Sequence, residues 1–176
     1  RYYAVEARIH YQRKGAAQRV NISAIYSIVL YDMNRVIEEF RTAMPEGQAI
    51  IRYQHPEEVY ESVLTEETDL GLISFSRQTR NLETLPWRED QMGVVCTPSH
   101  PLASQGKVSL KKLNKLDFVG FDENLDIWKY IDRNLRRLGV EVRVTMAFDN
   151  IEFIKRGIES SGAISILPLT TVKNEI

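Results

Sequence analysis

The chain has 176 residues, of which 43% are hydrophobic and 27% are charged, a balance typical of a globular protein with a packed core. A formal net charge of −1 excludes a strongly basic nucleic-acid or membrane-binding character for the chain as a whole. Cys96 is the single cysteine, so an internal disulfide is excluded and a reducing, cytoplasmic location is expected. Residues 1–19 lack the apolar run of a secretory leader, and no run approaches the ~18 residues of a membrane span.

The first segment, residues 1–18, is predicted to be the end of a helix. Its apolar residues recur at helical spacing, and Gly15 is a suitable end. Two interpretations stay open for it. It is either an ordinary solvated helix end or a linker helix that arrives from a further, absent domain.

Strands and helices then alternate through residues 19–97. The periodicity predicts strands at 20–25, 49–53, 69–75 and 91–97, and helices at 28–44 and 56–65. Residues 76–90 are predicted to be irregular, with a possible short strand near Pro86 and Trp87. This order predicts a parallel sheet with right-handed crossovers.

A second alternation occupies residues 98–168. The pattern predicts helices at 110–114, 125–138 and 151–160, and strands at 117–121, 142–148 and 163–167. Prolines interrupt the pattern just after Thr97, as a connection between two lobes would. The sequence therefore predicts an α/β fold with two lobes, residues 19–97 and 98–168, and a hinge near Thr97 and Pro98.

Candidate binding residues lie where predicted strands end, because ligands of open parallel sheets bind there, next to helix N-termini. The first such place holds Tyr26, Ser27 and Ile28. Ser27 is predicted to be the N-cap of the helix. Its hydroxyl and the free N–H groups of the first turn could hold a carboxylate, although a plain capping serine is an equal alternative.

Further strand ends hold six more candidates: Gln54, His55, Ser74, Phe121, Asn124 and Asn150. His55 either faces solvent in a turn or donates a hydrogen bond to a ligand. Asn124 and Asn150 either contact a ligand or simply cap the helices that follow them.

Patterns for catalysis and metal binding are absent from the sequence. There is no nucleophile elbow, P-loop, zinc-protease motif, C-x-x-C or glycine-rich dinucleotide motif. The three histidines are far apart, and Cys96 lies in an apolar run where an inert thiol is the default. We therefore expect no catalytic residues, no metal and no cofactor, and we predict that the chain is not an enzyme.

Four segments together carry a resemblance to a known family: residues 19–44 followed by Pro45, DLGLIS at 69–74, HPLA at 100–103 and ISILP at 164–168. In this order and spacing they resemble the effector-binding domain of LysR-type transcriptional regulators. The resemblance implies a two-lobed fold like that of the type 2 periplasmic solute-binding proteins, with mostly parallel sheets and a cleft between the lobes. It also implies that residues 1–18 end the linker helix that follows a winged helix-turn-helix, and that residues 169–176 begin a return to the first lobe.

The resemblance further implies a function for these residues. A small, often anionic metabolite would bind in the cleft, with the family's serine or threonine at the first helix falling on Ser27 and its pocket residues on 54–56, near 121–124 and near 148–150. The chain would form a homodimer or tetramer, for which we predict a pairing surface on the exposed side of the first helix, namely Leu30, Tyr31, Asn34, Arg35 and Glu38. DNA would be bound only through the absent domain, and no membrane partner is expected.

Two departures and two alternatives accompany this resemblance. Ser23 stands where the family often has a glycine late in the first strand, and residues 161–163 (SGA) replace a G-x-G. A free solute-binding protein of a transporter would share the fold, although the basic lead-in and the missing leader argue against it. A small enzyme on the same fold is the remote alternative, since no nucleophile–base pair is present.

Overall fold

The computed structural model describes residues 2–7, 19–77, 79–173 and 175, and of residues 2–7 the backbone only. Contacts divide the chain into two compact units, Arg1–Asp90 and Gln91–Ile176. The predicted boundary after Thr97 therefore falls later than this division. The reason is that the strand Met92–Val95 pairs with a strand of the second unit, Ser165–Pro168.

The described residues of the first unit form one sheet of five strands: β1 Tyr2–Ala7, β2 Arg19–Ala24, β3 Gln48–Tyr53, β4 Leu70–Ser74 and β5 Leu82–Arg88. Their order in the sheet is β3-β2-β4-β1-β5. The neighbours β3, β2 and β4 are parallel, as the alternation of strands and helices predicted. The strand β1 lies antiparallel between β4 and β5.

Two sequence-based predictions for this unit are wrong. Residues 2–7 form a strand and not the end of a helix, because neighbours on both sides offer ladder hydrogen bonds that local spacing does not reveal. The rest of the predicted linker helix, residues 8–18, lies outside the described residues. The irregular segment predicted over residues 76–90 is wrong for residues 82–88, which form β5, a strand longer than the possible short one predicted near Pro86 and Trp87. Its position at the edge of the sheet is compatible with Pro86, which has no N–H to donate.

The helix predicted over 28–44 is two helices, α1 Tyr26–Tyr31 and α2 Met33–Ala43, separated at Asp32. Ile28 and Met33 lie on either side of this break and are buried with Ile22, Ala24 and Leu72 of the sheet. The third helix, α3 Pro56–Leu64, begins with proline in its first turn as predicted. Its buried residues are Val59, Tyr60, Ser62 and Val63.

The second unit contains two pairs of strands. An antiparallel pair joins β6 Met92–Val95 to β9 Ser165–Pro168. A parallel pair joins β7 Asp117–Phe121 to β8 Arg143–Phe148. The helices are α4 Asp126–Arg137 and α5 Ile151–Ser161, with 3-10 turns at Leu110–Leu113 and Leu169–Val172.

Among the described residues, the second unit has one continuous core of buried side chains. Phe118, Ile154, Ile164 and Leu167 are fully buried at its centre, and an isolated bridge from Phe118 to Ile164 joins β7 to the chain just before β9. Gly162 ends α5 in a left-handed conformation, φ 68°, which a glycine adopts without steric cost. Across the described residues, no helix has the length and apolar character needed to cross a membrane.

Candidate functional site

The carboxyl ends of the three parallel strands meet at one edge of the first unit's sheet. Just beyond β2, Ile25 donates its N–H to Leu72 O over 3.1 Å, and Gln54 donates its N–H to Ala24 O over 3.0 Å. The residues that follow these strands are thereby held beside one another. The structure thus brings Tyr26, Ser27 and Gln54 to one edge, as the parallel order predicted.

Ser27 is not the N-cap of α1, contrary to the prediction. Ile25 occupies that position in an extended conformation, and no side chain caps the helix. The carbonyl of Ile25 accepts the N–H groups of Ile28 and Val29 at 3.1 and 3.2 Å. The N–H groups of Tyr26 and Ser27 precede these bonds, so they belong to the first-turn donors that an α-helix cannot satisfy internally.

Three aromatic rings line the same edge. The Tyr26 ring meets the Tyr53 ring edge to face, with centroids 5.3 Å apart, and the Tyr53 ring lies 6.0 Å from the His55 ring. His55 is exposed at the N-cap of α3, where its backbone N–H donates to Glu58 Oε2 over 3.0 Å. The turn position predicted for His55 is confirmed, and a role in ligand binding stays a prediction.

Gln54 is held by two serines, Ser23 and Ser62, that were not among the predicted site residues. Ser62 Oγ of α3 donates to Gln54 Oε1 over 2.8 Å, and Ser23 Oγ of β2 donates to the same oxygen. Ser62 offered a signal, since it is a polar residue inside the buried stripe of its helix. The only sequence signal at Ser23 was that a serine stands where the family often has a glycine.

Two further candidates of the first unit differ in accessibility. Ile28 is fully buried, and its N–H is already bonded to Ile25 O, so its side chain serves the core. Ser74 is half-buried at the end of β4 and precedes Phe75, whose φ of 61° turns the chain sharply away from the strand. Of Ile28 and Ser74, only Ser74 therefore has a side chain that is partly exposed at this edge of the sheet.

The candidates of the second unit also collect at one edge, where β7 and β8 end. Asp122 N donates to Phe148 O over 2.9 Å, which places the two strand ends together. Phe121 is 4% exposed and belongs to the core. Asn124 does not cap α4, whose N-cap is Leu125; its backbone and side-chain N–H groups donate to Asp122 Oδ1 instead.

Asn150 is the N-cap of α5, as one of its two predicted roles requires. Its Oδ1 accepts the N–H of Glu152 over 2.8 Å. The capping interaction accounts for an asparagine at this place without a ligand. Contact with an effector stays a prediction for Asn150.

The predicted pairing surface on α1 and α2 is largely solvent-exposed. Leu30 is 42% exposed, and Asn34, Arg35 and Glu38 are exposed on the next turns. Tyr31 is half-buried. The exposure is consistent with a surface available to a partner, whereas pairing itself stays a prediction.

Reactive and metal-binding groups show no assembled centre in the described part of the chain. No three His, Cys, Asp or Glu side chains of that part lie together as a metal site. Burial raises the pKa of the Cys96 thiol, which disfavours the nucleophilic thiolate. The carboxyl edge of the first unit's sheet presents hydrogen-bond donors and aromatic rings, a combination that suits the binding of a small molecule.

Comparison with known proteins decides the family. The model of the family described as the LysR substrate binding domain matches residues 13–176. The chain belongs to this family. The expected likeness to LysR-type regulators and the two-lobed α/β fold are thus confirmed.

Curated relatives of this LysR domain are named as transcriptional regulators. It is 26% identical over 161 residues to a probable RuBisCO transcriptional regulator of Cyanidium caldarium, covering 88% of this chain and 51% of the relative. It is 22% identical over 175 residues to the HTH-type transcriptional regulator CysL of Bacillus subtilis, covering 99% of this chain and 58% of the relative. The chain thus spans about half the length of these relatives.

Solved structures share the fold at lower identity. HinK, a LysR family transcriptional regulator from Pseudomonas aeruginosa, superposes with a TM-score of 0.79 at 19% identity, covering 90% of this LysR domain and 54% of HinK. The effector-binding domain of QuiR in complex with shikimate gives a TM-score of 0.78 at 15% identity, covering 87% of this LysR domain and 74% of the QuiR chain. The effector-binding domain of BenM with its effector benzoate gives a TM-score of 0.76 at 16% identity, covering 87% of this LysR domain and 71% of the BenM chain.

Proposed function

We propose that this LysR domain is an effector sensor that binds a small carboxylate metabolite at the edge formed by Tyr26, Ser27 and Gln54. The observation that carries the proposal is the uncapped first turn of α1. Ile25 supplies no side-chain acceptor there, so a ligand oxygen can take the place of a cap. The Ser27 hydroxyl lies in the same turn and adds a donor.

Two further facts support a carboxylate. The effectors named for QuiR and BenM, shikimate and benzoate, both carry one carboxylate and one six-membered ring. The Tyr26 and Tyr53 rings, 5.3 Å apart, offer this LysR domain an apolar surface next to the donors of α1. A ring-bearing carboxylate would then place its anionic end on α1 and its ring against the tyrosines.

Transmission of the signal is part of the same proposal. An effector can change how two copies of the domain pair only if it binds to one arrangement of the pair more tightly than to the other. A changed arrangement would reposition DNA-binding domains on their half-sites in a full-length, cytoplasmic regulator. The relatives named as transcriptional regulators support this role over a transporter component or an enzyme.

A ligand screen followed by one substitution tests the binding site. A thermal-shift screen of carboxylate metabolites should find compounds that raise the unfolding midpoint, since a ligand of the folded form stabilises it. For such a compound, Ser27→Ala should raise the dissociation constant in calorimetry by about 10- to 150-fold, the worth of a hydrogen bond to a charged group.

The control is Ser99→Ala, because Ser99 is an exposed serine of the second unit whose Oγ lies 3.2 Å from Thr97 Oγ1. Its affinity should match that of the unsubstituted protein. Equal affinity of Ser27→Ala and the control would remove Ser27 from the site. A screen in which no carboxylate raises the midpoint would count against the proposed ligand class.

A further inference from the structure

The amide of Gln54 is oriented by hydroxyl groups from two different elements. Ser23 of β2 is fully buried and Ser62 of α3 is 4% exposed, and both donate to the single oxygen Gln54 Oε1. An amide oxygen has two lone pairs, so this pair of bonds uses its whole accepting capacity. What remains of the side chain is a pure donor, the NH₂ group.

The opposite orientation of the amide is disfavoured by the same serines. With Nε2 turned toward them, both hydroxyls would accept and their protons would need other acceptors. In the described part of the chain, Gln54 Oε1 accepts the proton of each of these hydroxyls. Turning the amide would therefore deprive two buried hydroxyls of this acceptor.

The position of Gln54 gives this orientation a consequence. Gln54 is half-buried at the end of β3, and its backbone N–H bonds Ala24 O, directly before the start of α1. With Oε1 directed toward the buried serines, Nε2 is directed away from them. Its two N–H donors therefore belong to the same edge as the uncapped first turn of α1.

We propose that Ser23 and Ser62 are positioning residues that lock the Gln54 amide as a hydrogen-bond donor to the effector. This inference rests on the proposed function and deepens it. The effector atom at Gln54 is an acceptor, a carboxylate or carbonyl oxygen, and an ammonium or other cationic group is rejected there. Ser23 and Ser62 do not touch the ligand themselves.

The orientation is tested first, without any ligand. In the ¹⁵N-labelled protein, the side-chain NH₂ signal of Gln54 is assigned by its loss in Gln54→Leu. Its two protons should exchange with water as fast as those of an exposed glutamine. Protected protons would show that the nitrogen faces the serines, which overturns the inference while leaving the sensor proposal untouched.

Acetate, as the simplest carboxylate, tests the donor role. Its titration at constant ionic strength, with chloride as the reference anion, should shift the Gln54 NH₂ signal saturably, whereas methylammonium chloride should not. The double variant Ser23→Ala/Ser62→Ala should lose most of this shift, and Ser62→Thr, which keeps a hydroxyl, should retain it. Ser165→Ala is the matched control, because Ser165 is a fully buried serine of the second unit.

The outcomes separate the two proposals. If acetate shifts the backbone signals of Tyr26 and Ser27 but not the Gln54 NH₂ signal, the inference is wrong and the proposed site stands. If the double variant folds, as judged by its backbone spectrum, and responds to acetate like the control, the positioning role is wrong. If no signal of this edge responds to acetate, both proposals fail for carboxylates.

Discussion

Arg88 Nη2 lies 2.6 Å from Asp32 Oδ2, at the residue that separates α1 from α2. The two side chains are only 20% and 15% exposed, and Asp90 Oδ2 lies 3.9 Å from the same nitrogen. The Arg88 guanidinium therefore forms ion pairs with two carboxylates, and all three side chains are mostly buried. Burial raises the pKa of Asp32, and the opposing attraction of Arg88 does not cancel this effect.

Removing the two partners of this ion pair should have unequal effects. Arg88→Met leaves two carboxylates without their cation and should lower the free energy of unfolding by about 3 kcal/mol. Asp32→Asn leaves Arg88 with Asp90 and removes a charge that burial disfavours, so its cost should be below ~1 kcal/mol. Chemical denaturation measures both, and equal costs would contradict the arrangement. Arg136→Met, at an ion pair whose arginine is 76% exposed, is the control, and it should leave the free energy of unfolding nearly unchanged because water screens an exposed pair.

The dependence of stability on pH should carry the sign of the Asp32 shift. The pKa of Asp32 is higher in the folded protein than its ordinary value of 3.8. The folded state therefore keeps the proton longer than the unfolded state, and the stability that this proton contributes is lost as pH rises from 3.8 through the folded-state pKa. The free energy of unfolding of the unsubstituted protein minus that of Asp32→Asn should fall over this window. A rise would mean that the ion pair outweighs burial.

Close packing at Gly157 of α5 should make an added methyl group costly. A Cβ there would lie 2.9 Å from Val119 Cγ1 and 3.2 Å from Phe148 Cε2. Gly157→Ala should lower the free energy of unfolding by about 1–3 kcal/mol through overpacking, despite alanine's better helix propensity. Gly106→Ala is the control, because nothing lies within 4 Å of its added Cβ. If Gly157→Ala were as stable as the control, the side chains of Val119 and Phe148 would have moved to accept the methyl group at no cost.

A charge on the exposed side of α1 should weaken self-association. Leu30 is 42% exposed, and its substitution by Asp would place a carboxylate on the predicted pairing surface. We expect the dimer dissociation constant in sedimentation to rise at least ~10-fold, since a buried, unpaired charge opposes association. Leu138→Asp, at a leucine of the second unit that is 45% exposed, is the control. Unchanged association for Leu30→Asp would place pairing elsewhere.

Much of the fold follows from periodicity alone. The strand before α1, the strand before α3 and the helix α5 all lie within a few residues of their predicted bounds, because each has an apolar pattern and the last two adjoin a glycine, Gly47 and Gly162. The strand at residues 2–7 and the full length of β5 escaped prediction because their pairing partners are distant in sequence. Their strand state depends on a ladder and not on a local pattern.

The place of the proposed site could be predicted from the sequence, whereas its hydrogen bonds could not. Chain order and spacing alone predict that Tyr26, Ser27 and Gln54 follow parallel strands and meet at the carboxyl edge of the sheet. The folded structure was needed to show that Ile25 and not Ser27 occupies the N-cap position of α1, and that Ser23 and Ser62 both donate to the Gln54 amide. Cap position depends on backbone angles at one residue, and the serine pair is joined through space, so neither leaves a periodic trace along the chain.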